Sequence, residues 1–155
     1  MPIRNPADLR ATLTSGQRLM GLDVGEKTIG IAVSDTTFAI ATPVETLRRK
    51  KFASDVQRLQ ALVGERQAGG FVLGLPINMD GSEGPRCQSV RAFANNLLGK
   101  LDLPLAFWDE RLSTAAVTRT MIDADLSRER RAERVDKLAA AYILQGLLDR
   151  QKAGR

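Results

Sequence analysis

Histidine is absent from this chain, and cysteine occurs once, as Cys87. The first absence removes every Ser-His, Cys-His and His-metal mechanism at once. The second excludes an internal disulfide and a thiolate zinc cluster. The opening residues, MPIRNPADLRATLTSGQR, lack the apolar core of a signal peptide. No apolar run approaches the length of a membrane span, so a cytoplasmic protein is expected. Any catalysis must rest on carboxylates, lysines, hydroxyls, the lone thiol or a metal held by oxygen.

What is present fits one domain. The 155 residues are 43% hydrophobic and 26% charged, enough to bury a core and unlike a disordered chain. The formal charge of +5 and sequence pI near 9.9 suit a polyanionic partner. Residues 1–17 carry little apolar pattern beyond Leu9 and Leu13 and read as an N-terminal extension to a domain spanning 18–150.

Within that domain the apolar run LMGLDV is followed by a turn at Gly25, Glu26 and Lys27, and TIGIAVS then alternates at strand period. Phe38 to Leu47 is a third β-like stretch, with Pro43 marking an edge or bend. Phe52, Val56, Leu59 and Val63 recur at helical spacing up to Gly69 and Gly70, which are expected to end that helix. A short strand FVLGL, the turn-rich loop PINMDGSEGP, a helical stripe at Val90, Phe93, Leu97 and Leu101, and a strand from Leu105 to Trp108 follow. Ser113 or Thr114 could cap a helix through Val117 and Met121, and a final helix carries Val135, Leu138, Tyr142, Ile143 and Leu147. The order β-β-β-α-β-α-β-α-α predicts an α/β fold: a mixed five-stranded sheet, the first three strands antiparallel, flanked by helices. It matches a ribonuclease H-like arrangement, an order that other α/β folds can share.

Three acids stand out. Asp23 interrupts an apolar strand, sharing a face with Leu19 and Gly21, opposite Met20, Leu22 and Val24. A mid-strand aspartate is costly to bury unpaired. It either caps the turn at Gly25 or ligates a metal, with glycine clearing space beside it. Glu110 stands two residues past Trp108, the last of the strand LAFW, where open α/β sheets place their sites. Asp109 is its neighbour, so the two point to opposite sides if the strand continues; alternatively Asp109 pairs with Arg111 in a surface loop. Asp136 heads a column of Ala140, Ile143 and Leu147 on the last helix, although the helix dipole would also favour an acid there.

The trio says more than its members. Three converging carboxylates cannot all stay ionised without a cation, and hard oxygen ligands select Mg²⁺ or Mn²⁺. Such a site suits phosphodiester hydrolysis by two ions about 4 Å apart, with no histidine base required. Arg128, Arg130, Arg131, Arg134 and Lys137 flank Asp136 and, with Lys27 and Arg111, could hold phosphates. The run Arg48, Arg49, Lys50, Lys51 reads more simply as a solvated face.

The segments GLDVGEKTIGIAVSD, FVLGLPINMDGSEG, WDERLST and DKLAAAYIL together resemble the YqgF (RuvX) family, relatives of the RuvC resolvases within the ribonuclease H-like superfamily. They run in order through most of the chain. Thr28 departs from the family, which commonly has a basic residue there. The resemblance implies that Asp23, Glu110 and Asp136 hold Mg²⁺ (or Mn²⁺), two ions in all, and that the substrate is a nucleic-acid phosphodiester. It implies maturation of the 5′ end of pre-16S rRNA first and Holliday junction cleavage second, the latter demanding a symmetric dimer. A monomer or weak homodimer is expected. Another class of reading is a non-catalytic RNA-binding ribosome-assembly factor. A third, the actin-like ATPases, shares the strand-borne DxG motif but needs two such domains to enclose a nucleotide.

Overall fold

The computed structural model describes residues 3–112 and 128–153, with side-chain positions for 3–112 and 137–151. The chain opens with β1 (Ile3–Arg4) and the single turn α1 (Pro6–Leu9), in which proline occupies the first turn, where its missing N–H is no loss. A hairpin of β2 (Arg18–Val24) and β3 (Thr28–Ser34) follows, and β4 (Ala41–Arg48) pairs antiparallel with β3. Helix α2 (Phe52–Arg66) returns the chain to β5 (Ala68–Leu75), parallel to β2; α3 (Pro85–Leu98) returns it to β6 (Leu105–Asp109), parallel to β5. A short 3₁₀ turn (Glu110–Leu112) and the long α4 (Arg128–Ala153) complete the described elements.

The sheet runs β1-β6-β5-β2-β3-β4. It has one strand more than the sequence pattern predicts, because Ile3 and Arg4 pair in parallel with Leu105 and Ala106. Two residues cannot display a period, so this strand has no sequence signal. Leu9, one turn later, is fully buried.

Two expected boundaries move. Gly69 and Gly70 lie inside β5 and do not end α2, which stops at Gln67 in a left-handed conformation (φ 56°, ψ 47°). Gly69 is the extra residue of a register shift between β2 and β5, and a Cβ there would fall 2.5 Å from the Gln17 amide oxygen. Phe38 belongs to a turn, not to β4: the Asp35 carboxylate accepts hydrogen bonds from the amides of Ala39 (2.7 Å) and Ile40 (3.0 Å) and from the Thr37 hydroxyl. Pro43 does sit on an edge strand, beside the register shift that makes Val44 an extra residue opposite Ile31 and Ala32. The expected helix through Val117 and Met121, with its cap at Ser113 or Thr114, lies outside the described residues.

Side-chain alternation divides the core into two layers. Met20, Leu22, Val24, Ile29, Ile31, Val33, Phe71, Leu73 and Leu75 pack under α2 and α3. Leu19, Ala32, Val72, Ala106 and Trp108 face the other way, against Ile143, Leu144 and Leu147 of α4. Gln145 of α4 locks the hairpin edge: its carbonyl accepts from the Ala41 amide (2.8 Å) and its NH₂ donates to the Ala39 carbonyl (2.9 Å).

Candidate active site

The parallel strands β2, β5 and β6 end at one edge of the sheet, at Val24, Leu75 and Asp109. Asp23 is 6% exposed; with Ser34 and Asp55 it makes up the buried polar or charged side chains among the described residues. A Cβ built on Gly21 would lie 2.9 Å from the Leu144 Cβ and 3.0 Å from the Ala140 carbonyl oxygen, so that face of β2 is the one α4 covers. Asp23, two residues on, shares it. It pairs across the hairpin with Gly30, and the register that sets Leu22 beside Leu73 brings Gly74 next to it on β5.

Gly74 supplies the second landmark. A Cβ on it would lie 2.4 Å from the Ile143 Cδ1 and 3.2 Å from the Glu110 carboxyl carbon. The Glu110 carboxyl group therefore lies over a glycine on the strand beside Asp23, on the α4 face. Asp109 is held elsewhere. Its carboxylate takes a forked pair of bonds from Arg111, at 2.7 Å from Nη2 and 3.1 Å from Nε, and a third bond from the Arg111 amide at 3.0 Å. The guanidinium and the amide hold the Asp109 carboxyl below its ordinary range, and the same pairing raises Arg111.

Asp136 falls within the span of α4, one turn before Ala140, but its side chain and those of Arg128, Arg130, Arg131 and Arg134 lie outside the described residues. Among the described residues no cluster of three or more acidic or thiol side chains is gathered.

A family model described as RuvX, Holliday junction resolvase, matches residues 17–150. The chain belongs to the RuvX family. A relative from Paramagnetospirillum magneticum is 63% identical over 149 residues, covering 96% of each chain, and one from Roseobacter denitrificans is 60% identical, covering 97% of this chain and 93% of its own. Both are named as proposed pre-16S rRNA nucleases. Among solved structures, Thermus thermophilus RuvC bound to a Holliday junction superposes with a TM-score of 0.53 at 11% identity, covering 88% of this chain and 96% of that one. The yeast mitochondrial Holliday junction resolvase Ydc2 gives 0.51 at 12% identity, covering 93% and 82%. These likenesses establish the ribonuclease H-like fold.

In this RuvX chain the surroundings of the two acids are built by residues the sequence did not single out. Arg49, half-buried, donates from Nη1 to the Gly25 carbonyl (2.6 Å) and lies 5.3 Å from the centre of the Phe93 ring. Its own amide donates to the Lys27 carbonyl (2.8 Å). One arginine thus ties the turn after Asp23, which carries Lys27, to β4 and α3. Four consecutive cations in sequence give no hint of which one turns inward. The β5–α3 loop is fastened by its own bonds: Asp80 accepts from the Ser82 amide and hydroxyl, and Gly81 adopts φ 90°, which favours glycine. This loop approaches the 3₁₀ turn, Arg111 Nη1 lying 3.7 Å from a Cβ on Gly81. Lys137 is half-buried on α4.

Proposed function

We propose that this chain hydrolyses RNA phosphodiester bonds in maturing the 5′ end of pre-16S rRNA, with Asp23, Glu110 and Asp136 as ligands for Mg²⁺ or Mn²⁺. The observation that carries the reading is near-full-length similarity, at about 60% identity, to relatives named for that reaction. Residues 18–150 form the nuclease unit, and β1, ahead of it, pairs with β6.

The donor set fits such a cation. Asp23 is buried to 6% exposure on an otherwise apolar strand, and Glu110 lies over Gly74 beside it. Both offer only oxygen, as hard divalent ions require. Asp136 stands one helical turn before Ala140, whose carbonyl meets the Gly21 side of β2. When bound, the ions would lower the pKa of water and neutralise charge on the scissile phosphate. Asp109 plays a supporting part, since its forked bond with Arg111 fixes the turn on which Glu110 stands. Lys27, Arg111, Lys137 and the arginines of the first turns of α4 would hold the backbone phosphates flanking the cut.

Incubating the purified protein with pre-16S rRNA and with four-way DNA junctions, in Mg²⁺ and in EDTA, tests this. Mg²⁺-dependent trimming of the RNA 5′ end, lost in Asp23→Asn, is the expected result. Paired, symmetric cuts in the junction with intact RNA would instead favour the resolvase reading, which the family's description supports.

A further inference from the structure

We infer that Gly74 is a positioning residue, its missing side chain leaving the space in which the Glu110 carboxylate is held beside Asp23. The inference rests on the reading of Asp23 and Glu110 as metal ligands. All eight residues of β5 are buried, and a glycine weakens a strand interior, so its presence at Gly74 calls for a local reason. Gly74 has no left-handed φ, and its backbone accepts alanine. Only neighbours resist the methyl group.

Two neighbours do, and they differ in kind. Ile143 Cδ1, 2.4 Å away, is the far end of a flexible apolar side chain. The Glu110 carboxyl carbon, at 3.2 Å, would have to give by a few tenths of an ångström. Small hard cations demand near-ideal ligand geometry, and productive constellations tolerate only about 0.5 Å of displacement. A packing role for Gly74 would act through Ile143 alone; a positioning role acts through Glu110 after Ile143 has been cut back.

The test measures Mn²⁺ binding by electron paramagnetic resonance on the full chain, with melting temperature recorded alongside. Ile143→Ala, which removes the first conflict, should bind Mn²⁺ like the parent. Gly74→Ala combined with Ile143→Ala should melt like Ile143→Ala yet bind Mn²⁺ about tenfold more weakly, in the range that supporting residues typically contribute. Equal binding by the single and double variants would overturn the inference. Glu110→Gln separates the levels. If it binds Mn²⁺ like the parent, the ligand reading fails and takes the inference with it. If it is impaired while the double variant is not, only the role of Gly74 falls. Should the double variant not fold, Gly74→Ala with Ile143→Val is compared with Ile143→Val, the Ile143 Cγ1 position 3.0 Å from the new Cβ being kept in both: equal Mn²⁺ binding again overturns the inference, and weaker binding at an unchanged melting temperature supports it.

Discussion

The two faces of the sheet are built from the same strands and obey different rules. Under α2 and α3 the strands present Met20, Leu22, Val24, Ile29, Ile31, Phe71 and Leu73, a conventional packed layer. Towards α4 the corresponding positions include Gly21, Ala32, Gly74 and Ala106, and at the end Asp23. Large side chains on the first face maximise apolar burial. Small ones on the second let the α4 backbone come within contact of β2 at Gly21 and leave the Glu110 carboxyl group lying over Gly74. Both faces are packed, the second by Leu19, Val72 and Trp108 against α4, but only the second thins to glycine where the α4 backbone and the Glu110 carboxyl group come close.

The sharpest way to break this contrast is at its charged end. Asp23→Asn should abolish cleavage while the melting temperature holds or rises, because removing a carboxylate relieves repulsion between like charges. A fully active purified variant would sink the assignment. Mid-strand, Leu22→Ala should destabilise by about 2–5 kcal/mol through a cavity in the large-residue layer. Its neighbour Gly21→Ala should cost about 1–3 kcal/mol for the opposite reason, overpacking against Leu144 and the Ala140 carbonyl. Denaturant titration of the pair checks both, and only Gly21→Ala should also depress activity, by shifting α4.

Smaller effects sharpen the picture around the site. Asp109→Asn should retain most cleavage, since the Asp109 carboxylate is engaged by Arg111; a dead variant would mean that Asp109 is the working acid. Replacing Arg130, Arg131 and Arg134 together by alanine should flatten the salt dependence of nucleic-acid binding by up to about 0.9 in log–log slope per lost phosphate contact on duplex. An unchanged slope would reduce that cluster to a solvated surface. The smallest effect lies off both faces, in the Asp35 turn. Hydrogen bonds from the Ile40 amide first, and then from the Thr37 hydroxyl, lower the Asp35 carboxyl from 3.8 to about 2. A depressed carboxyl contributes stability that is complete above the ordinary value and fades as pH falls through the lower one. Melting curves across that acid window should therefore show a pH-dependent contribution in the parent that is missing in Asp35→Asn.

Much of this architecture is legible in the sequence. Period-2 alternation locates β3, short apolar runs locate β2 and the core of β5, strands buried on both faces, and helical stripes locate α2, α3 and the last helix, whose burial on one face forces that period. Asp23 can be found because an acid on an apolar strand violates the pattern around it. Three features are hidden. β1 is too short to show a period. The end of α2 falls on Gln67, a residue with no strong stop signal. Arg49 looks like its three cationic neighbours until the fold shows it reaching Gly25.

The sequence by itself narrowed the class of chemistry. With no histidine and a single cysteine, carboxylates, lysines, hydroxyls, the lone thiol or a metal held by oxygen were what remained, and the order of strands and helices set a mixed sheet. Only the tertiary structure decided which acid stands over Gly74, that Asp109 is engaged by Arg111, and that Gly21 and Gly74 are gaps into which α4 and Glu110 fit. The physical reason is range. Periodicity and propensity act within a few residues of chain, whereas the space left by a missing Cβ is defined by atoms that arrive from elements tens of residues away.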